Sequence, residues 1–288
     1  MNSVAKDNCY GVWSTGMASA LTSAGVSRTG SAGSYTYTAM PVDGRSKPED
    51  APYINPYDRP ITMVNYFQVM RFINWVENGM PTTGVCTSTT TEDGTYPLNG
   101  QTAGTPPTVN NINPNTGIQP LYALPTENEW YKPAYYGGSG KYWPYATQSD
   151  QDPANVLGGN VTNTVIYITF PNNNYAVTQS PTQNMSYNYI VNNDALPNVP
   201  GYFGTFHMNG NVWEINDGNR ENSQTRPLRG GGKSYMMIHR QQNNNNYNIE
   251  IPTLLISKQL GRLMRHTLEI RIVWWALSQT LHQTRVSG

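Results

Sequence analysis

The sequence predicts an α+β domain with few helices, short strands and much irregular loop. Three observations lead there: two amphipathic segments carry clear helix caps, turn-forming residues recur every few positions elsewhere, and the composition is polar without being charged. Only 12% of the 288 residues are charged, against roughly 25% in typical soluble domains. The chain is instead rich in Asn (33), Thr (30), Gly (26) and Tyr (20). Such amides and hydroxyls satisfy irregular backbone. An aromatic content of 11%, including 7 Trp, supplies a core and argues against disorder.

The first helix is expected over 66–78. Asn65 caps it, Gln68 stands at the capping-box position, and Val69, Phe72, Ile73 and Val76 recur at three-to-four spacing before Gly79, where a C-cap glycine belongs. The second helix starts at Thr126, with Glu129 completing the box; Trp130, Ala134 and Tyr135 should face the core. Pro133 should end or kink it early, because it removes an amide donor and crowds the preceding turn. Residues 82–118, low in charge and rich in Thr, Asn, Gly and Pro, read as an exposed insertion loop. Beyond Pro252 a basic amphipathic helix is expected over 253–268, then a buried strand over 269–275.

The charge balance divides the chain. Residues 1–232 hold 11 basic and 16 acidic groups, a net of −5, whereas 233–288 hold 7 basic and 2 acidic, a net of +5. No Asn follows Asn248, and 7 of the 14 Leu lie in the last 56 residues. The tail is therefore either a distinct functional element or a segment whose reading frame differs from that of related genes. The overall net charge of 0 leaves no electrostatic footprint for general nucleic-acid binding. No apolar run approaches the roughly 18 residues of a membrane span, and Met1–Trp13 lacks the basic and apolar stretches of a signal peptide. Two cysteines, Cys9 and Cys86, exclude a dense disulfide framework and a Cys-rich zinc site; one bridge and two buried thiols both fit.

Several segments, taken in order, are more specific than any one of them. They are Arg59-Pro60-Ile61-Thr62-Met63-Val64-Asn65, Arg71-Phe72-Ile73-Asn74-Trp75, Leu124-Pro125-Thr126-Glu127-Asn128-Glu129-Trp130, Gly210-Asn211-Val212-Trp213-Glu214 and Arg229-Gly230-Gly231. Together they resemble the formylglycine-generating enzyme family, or sulfatase-modifying factors, over roughly residues 10–232. The opening Ser27–Thr38 looks like that of a bacterial branch. The resemblance implies a C-type-lectin-like fold, with 1–232 as an N-terminally shortened domain and 233–288 as a divergent basic tail completing or extending it. Past Arg229-Gly230-Gly231 the family's Ser-Trp stretch and arginine-rich loop are replaced by Gly232–Met237 and the run Asn243–Asn246; Glu269–Val273 resembles the closing strand.

Members that oxidise a cysteine rely on a C-terminal cysteine pair that binds copper, since thiolates are the soft ligands that favour Cu(I). Here no cysteine follows Cys86, so catalytic residues are not assigned and copper is not expected. His207, His239, His266 and His282 lack the H-x-x-x-H spacing of the family's iron-dependent branch. Glu127 and Glu129 point apart on their helix and read as first-turn charges. Gly232-Lys233-Ser234 lacks the spacing of a phosphate loop, and an isolated His207 is more often structural than a base. Calcium is the cofactor the resemblance implies: Asn211 and Glu214, with Asn209 nearby, match one site and Asn155 with backbone Val156 a second, through the oxygen ligands a hard cation takes. Without metal, Asn211 and Glu214 would bond loop amides instead; Trp213 is expected in the core in either case. The expected function is a non-catalytic binding or assembly scaffold, displayed on a cell or virus-particle surface, with a protein partner, a further copy or a glycan bound through loops and tail. Formylglycine generation on sulfatase cysteines is the competing reading.

Overall fold

The computed structural model describes residues 1–20, 23, 25–40, 57–156, 163, 174–193, 195, 200–217, 226–232 and 235–236. Three α-helices are seen among them, α1 (Gly16–Ser19), α2 (Tyr66–Glu77) and α3 (Glu127–Tyr135), with a 3-10 turn at Cys9–Gly11 and a π-turn at Ser88–Glu92 between α2 and α3. Six short strands form three antiparallel pairs: β1 (Val26–Thr29) with β2 (Thr36–Ala39), β3 (Glu214–Ile215) with β4 (Leu228–Arg229), and β5 (Gly231–Gly232) with β6 (Tyr235–Met236). Few helices, short strands and long irregular connections agree with the α+β expectation. No helix of the described residues is long and apolar enough to cross a membrane.

Helix α2 forms as its caps dictate. The Gln68 amide donates to Asn65 Oδ1 at 2.9 Å, and the Asn65 amide donates back to Gln68 Oε1 at 2.6 Å. Gly79 stands in left-handed backbone at φ 77°, which only glycine adopts without steric cost. Of its twelve residues all but Phe72 are buried, far more than one amphipathic stripe requires.

Segment 88–98 covers one side of α2, and there the sequence expectation fails. That stretch is not an exposed insertion: Thr90, Thr91, Glu92, Thr95, Tyr96 and Leu98 are all buried against α2. Its polar groups bond to helix side chains. Asn74 donates to the carbonyls of Thr91 (2.9 Å) and Tyr96 (2.7 Å) and accepts from the Tyr96 amide (2.8 Å). A Thr- and Asn-rich composition reads alike whether water or another segment supplies the partners.

Helix α3 also corrects a detail. It carries the expected Thr126–Glu129 box but runs through Pro133 to Tyr135 before Tyr136 turns extended (φ −68°, ψ 132°). Proline removes one bond, to the carbonyl four residues back; the burial of Trp130, Ala134 and Tyr135 holds the last turn in its place.

The main core gathers α2 with Trp13, Met17, Tyr37, Leu98 and Ile215. A smaller cluster joins α3 to Ala146 and Met208. Cys9 and Cys86 are joined by a disulfide, with Cα atoms 6.1 Å apart, which settles the choice between a bridge and two thiols. The expected elements over 253–268 and 269–275, the Asn243–Asn246 run, Lys233, Ser234, His239, His266 and His282 lie outside the described residues.

Candidate functional site: the GNVWE hub and an aromatic face

Gly210–Glu214 is where the domain's segments converge. Gly210 and Asn211 occupy left-handed backbone (φ 72° and 60°), a region asparagine tolerates better than most residues. That turn points three polar side chains inward. Asn211 accepts from the Val191 amide at 3.0 Å and donates to the Val191 carbonyl at 3.2 Å, as a strand neighbour would. Asn209 accepts from the Ala146 amide at 2.7 Å and donates to the Tyr135 hydroxyl at 3.2 Å. Burial, offset partly by that bond, pushes the Tyr135 phenol up to about 12. The Glu214 carboxylate accepts from the Trp130 indole N–H, and the Gly210 amide donates to the Gly230 carbonyl at 2.7 Å.

The hub continues into the Arg229-Gly230-Gly231 segment. Arg229 pairs with Glu127 of α3, which also accepts from Asn216 Nδ2 at 3.2 Å. Glu127 therefore does more than charge the first turn of its helix. Arg226 reaches Asp217 Oδ1 at 2.7 Å and the Tyr66 hydroxyl at 2.8 Å, while that hydroxyl donates to Asp217 at 3.0 Å. Burial and the neighbouring Asp217 raise the Tyr66 phenol well above its ordinary range. A Cβ at Gly230 would sit 3.2 Å from the Met208 carbonyl oxygen, so the close approach of the two segments depends on glycine there.

The residues nominated for calcium thus divide. Asn209, Asn211 and Glu214 are buried at the hub with oxygens turned onto protein N–H donors. Asn155, also buried, donates to the Asn174 carbonyl and accepts at its own backbone oxygen from Gln179 Nε2 (3.0 Å), whereas Val156 is exposed. Amide, carbonyl and carboxylate oxygens are the donor chemistry calcium takes, but at the hub Asn209 Oδ1, Asn211 Oδ1 and Glu214 Oε2 already accept from three different segments. Among the described residues no group of three or more His, Cys, Asp or Glu side chains converges. His207 lies on the turn entering the hub, at φ 55°. Trp213 is half-buried, not wholly core, and packs against Gly232.

Sequence reasoning missed a second feature. After α3 the chain runs through Tyr136-Gly137-Gly138-Ser139-Gly140 and returns as Lys141-Tyr142-Trp143. Tyr131, Tyr136, Tyr142, Tyr202 and Phe203 then form one continuous set of ring contacts. Tyr131 stacks on Tyr142 (5.3 Å between centroids) and Tyr136 on Phe203 (5.7 Å), while Tyr202 meets both Tyr136 (5.1 Å) and Phe203 (5.0 Å) edge-on. Neither helical nor strand periodicity marks these residues. The available signal was a tyrosine-rich stretch around a Gly-Gly pair.

Residues 15–253 match a family model described as a Sulfatase-modifying factor enzyme 1-like domain, so the match runs past the change of composition at 232. No curated protein and no solved structure matches the chain.

Proposed function

Because the chain belongs to the sulfatase-modifying factor family, we propose that it uses that family's scaffold for binding or assembly and does not generate formylglycine. The observation that carries this reading is the state of its cysteines: both are consumed in the Cys9–Cys86 disulfide, and the sequence holds no others. Copper-dependent oxidation in the relatives needs soft thiolate ligands, which this chain lacks. A disulfide also suits an oxidising compartment, in keeping with display on a cell or particle surface through loops and tail.

The test is direct. Purified protein should take up no Cu(I) and leave the cysteine of a sulfatase-motif peptide unchanged by mass spectrometry. Copper uptake at one equivalent with conversion of that cysteine would establish the oxidase reading instead.

Calcium remains a proposal for Asn155–Val156 and for the hub, supported by the hard oxygen donors at both. A melting temperature that rises in millimolar calcium and falls back in chelator is the expected result. No calcium dependence of the melt would leave the hub oxygens with their protein N–H partners alone.

A further inference from the structure

The aromatic set beside α3 is built, not incidental. Its backbone is kept bare to receive the rings: a Cβ on Gly137 would lie 2.1 Å from the Trp143 indole nitrogen, and one on Gly138 would lie 3.1 Å from the Tyr202 ring. The Lys141 ammonium sits 3.2 Å from the Trp143 ring centroid, and Lys132 lies 5.8 Å from that of Phe203. Thr205 anchors the second loop by donating to the Pro133 carbonyl at 2.8 Å. Yet Tyr142, Tyr202 and Phe203 remain 40%, 52% and 44% exposed. Tyr131 covers one face of Tyr142 and Tyr136 one face of Phe203, so folding fixes these rings in place while leaving part of each exposed.

Magnitudes decide what fits there. An aromatic side chain buries roughly 150–250 Å² when wholly covered, so these three exposed rings present roughly 200–350 Å² between them. A stable protein partner needs about 800 Å² on each side, which the patch does not approach. A cage for a quaternary ammonium needs rings standing apart around the cation; ring centroids 5.0–5.7 Å apart are already in mutual contact. Single-stranded nucleic acid stacks on such rings but also needs a basic groove, whereas Lys141 is matched by Asp150 at 3.8 Å and Lys132 lies over Phe203. What remains is a ligand with a small flat apolar face and a hydroxylated rim.

We propose that Tyr142, Tyr202 and Phe203 form a stacking platform for the sugar rings of a neutral oligosaccharide. The C–H face of a pyranose lies on the exposed part of these rings, and the Tyr142 and Tyr202 hydroxyls meet its hydroxyls at the edge. This rests on the reading of the chain as a binding scaffold and names the chemistry of what is bound.

The experiment is affinity electrophoresis through gels containing hydroxyethyl cellulose, glucomannan or amylose, followed by fluorescence titration with cellohexaose and maltohexaose. At least one polysaccharide should retard the protein. The Tyr202→Ala/Phe203→Ala double variant should weaken that binding at least tenfold with an unchanged melting temperature. Tyr57→Ala, which removes an equally exposed tyrosine outside the set, should bind as wild type. Tyr142→Ala provides an independent variant should the double substitution disturb folding. No retardation in any gel, or retardation that all these variants retain, overturns the proposal, as does self-association through the patch seen by ultracentrifugation. The two readings fail separately: oxidation of a cysteine peptide overturns the scaffold reading, while a non-oxidising chain that ignores every saccharide overturns only the platform.

Discussion

Arg71 on α2 grips Glu92 on the following π-turn with two parallel hydrogen bonds, Nε to Oε1 and Nη2 to Oε2, both 2.8 Å long. The two side chains are 1% and 5% exposed. Arg71 also donates to the Gln101 carbonyl at 2.9 Å, Glu92 accepts from the Gly100 amide at 2.9 Å, and Tyr10 covers the guanidinium. Burying two charges is costly, and breaking such a pair by removing one partner typically costs about 3–5 kcal/mol. Glu92→Ala should lose about that much in urea denaturation. Replacing both residues by apolar ones of similar size should cost less than the single change.

The Cys9–Cys86 bridge closes a loop of 77 residues in sequence separation. Loop-closure entropy on that scale corresponds to a stabilisation on the order of 4 kcal/mol. The Cys9→Ser/Cys86→Ser variant should be destabilised by about that amount, and wild type in reductant should melt with the variant. Equal stability of oxidised and reduced protein would show that the packing around α2 alone fixes the N-terminal segment.

The buried Tyr135 phenol sets an alkaline limit. Its ordinary value of 10.0 rises to about 12 in the fold, so the folded chain keeps a proton that the unfolded chain gives up. Stability is therefore full below pH 10 and declines from pH 10 toward 12, at about 1.4 kcal/mol per pH unit for each such group. Tyr135→Phe should flatten that decline in denaturant melts at pH 9, 10 and 11. A slope unchanged by the substitution would remove Tyr135 as its source.

Gly137 supports the aromatic face through the space it leaves open. Gly137→Ala must displace the Trp143 indole, since their atoms would stand 2.1 Å apart; overpacking of this kind typically costs about 1–3 kcal/mol. Altered tryptophan emission, with the far-ultraviolet circular dichroism of wild type, is the expected outcome. Unchanged emission would mean the loop shifts instead of the indole.

What could be read from the sequence was local. Asn65 with Gln68, and Thr126 with Glu129, specify caps through bonds spanning three residues, so both helices were placed to within a residue or two. The burial of segment 88–98 is not legible locally because its partners on α2 lie about twenty positions away, and a threonine does not disclose whether its backbone carbonyl meets water or, as at Thr91, the Asn74 amide. Pro133 predicts an early end or kink in α3 because the burial of Trp130 and Tyr135 against Met208 is invisible to local propensity. The inward turn of Asn211 was legible as one of two alternatives, whereas its partner Val191, twenty residues earlier, was not. The aromatic face leaves no local signature because it joins residues 131–143 to 202–203 without periodicity.

The bridge between Cys9 and Cys86 also changes what a broken chain would be. Every residue from Tyr10 to Val85 belongs to a covalent ring, and that ring includes all of α1, β1, β2 and α2. A single peptide cleavage anywhere within it opens the ring but releases nothing. The halves would travel as one molecule on a non-reducing gel and separate only with thiol present. For a protein working among proteases, one cut there is survivable damage, and α2 stays tethered to both pieces.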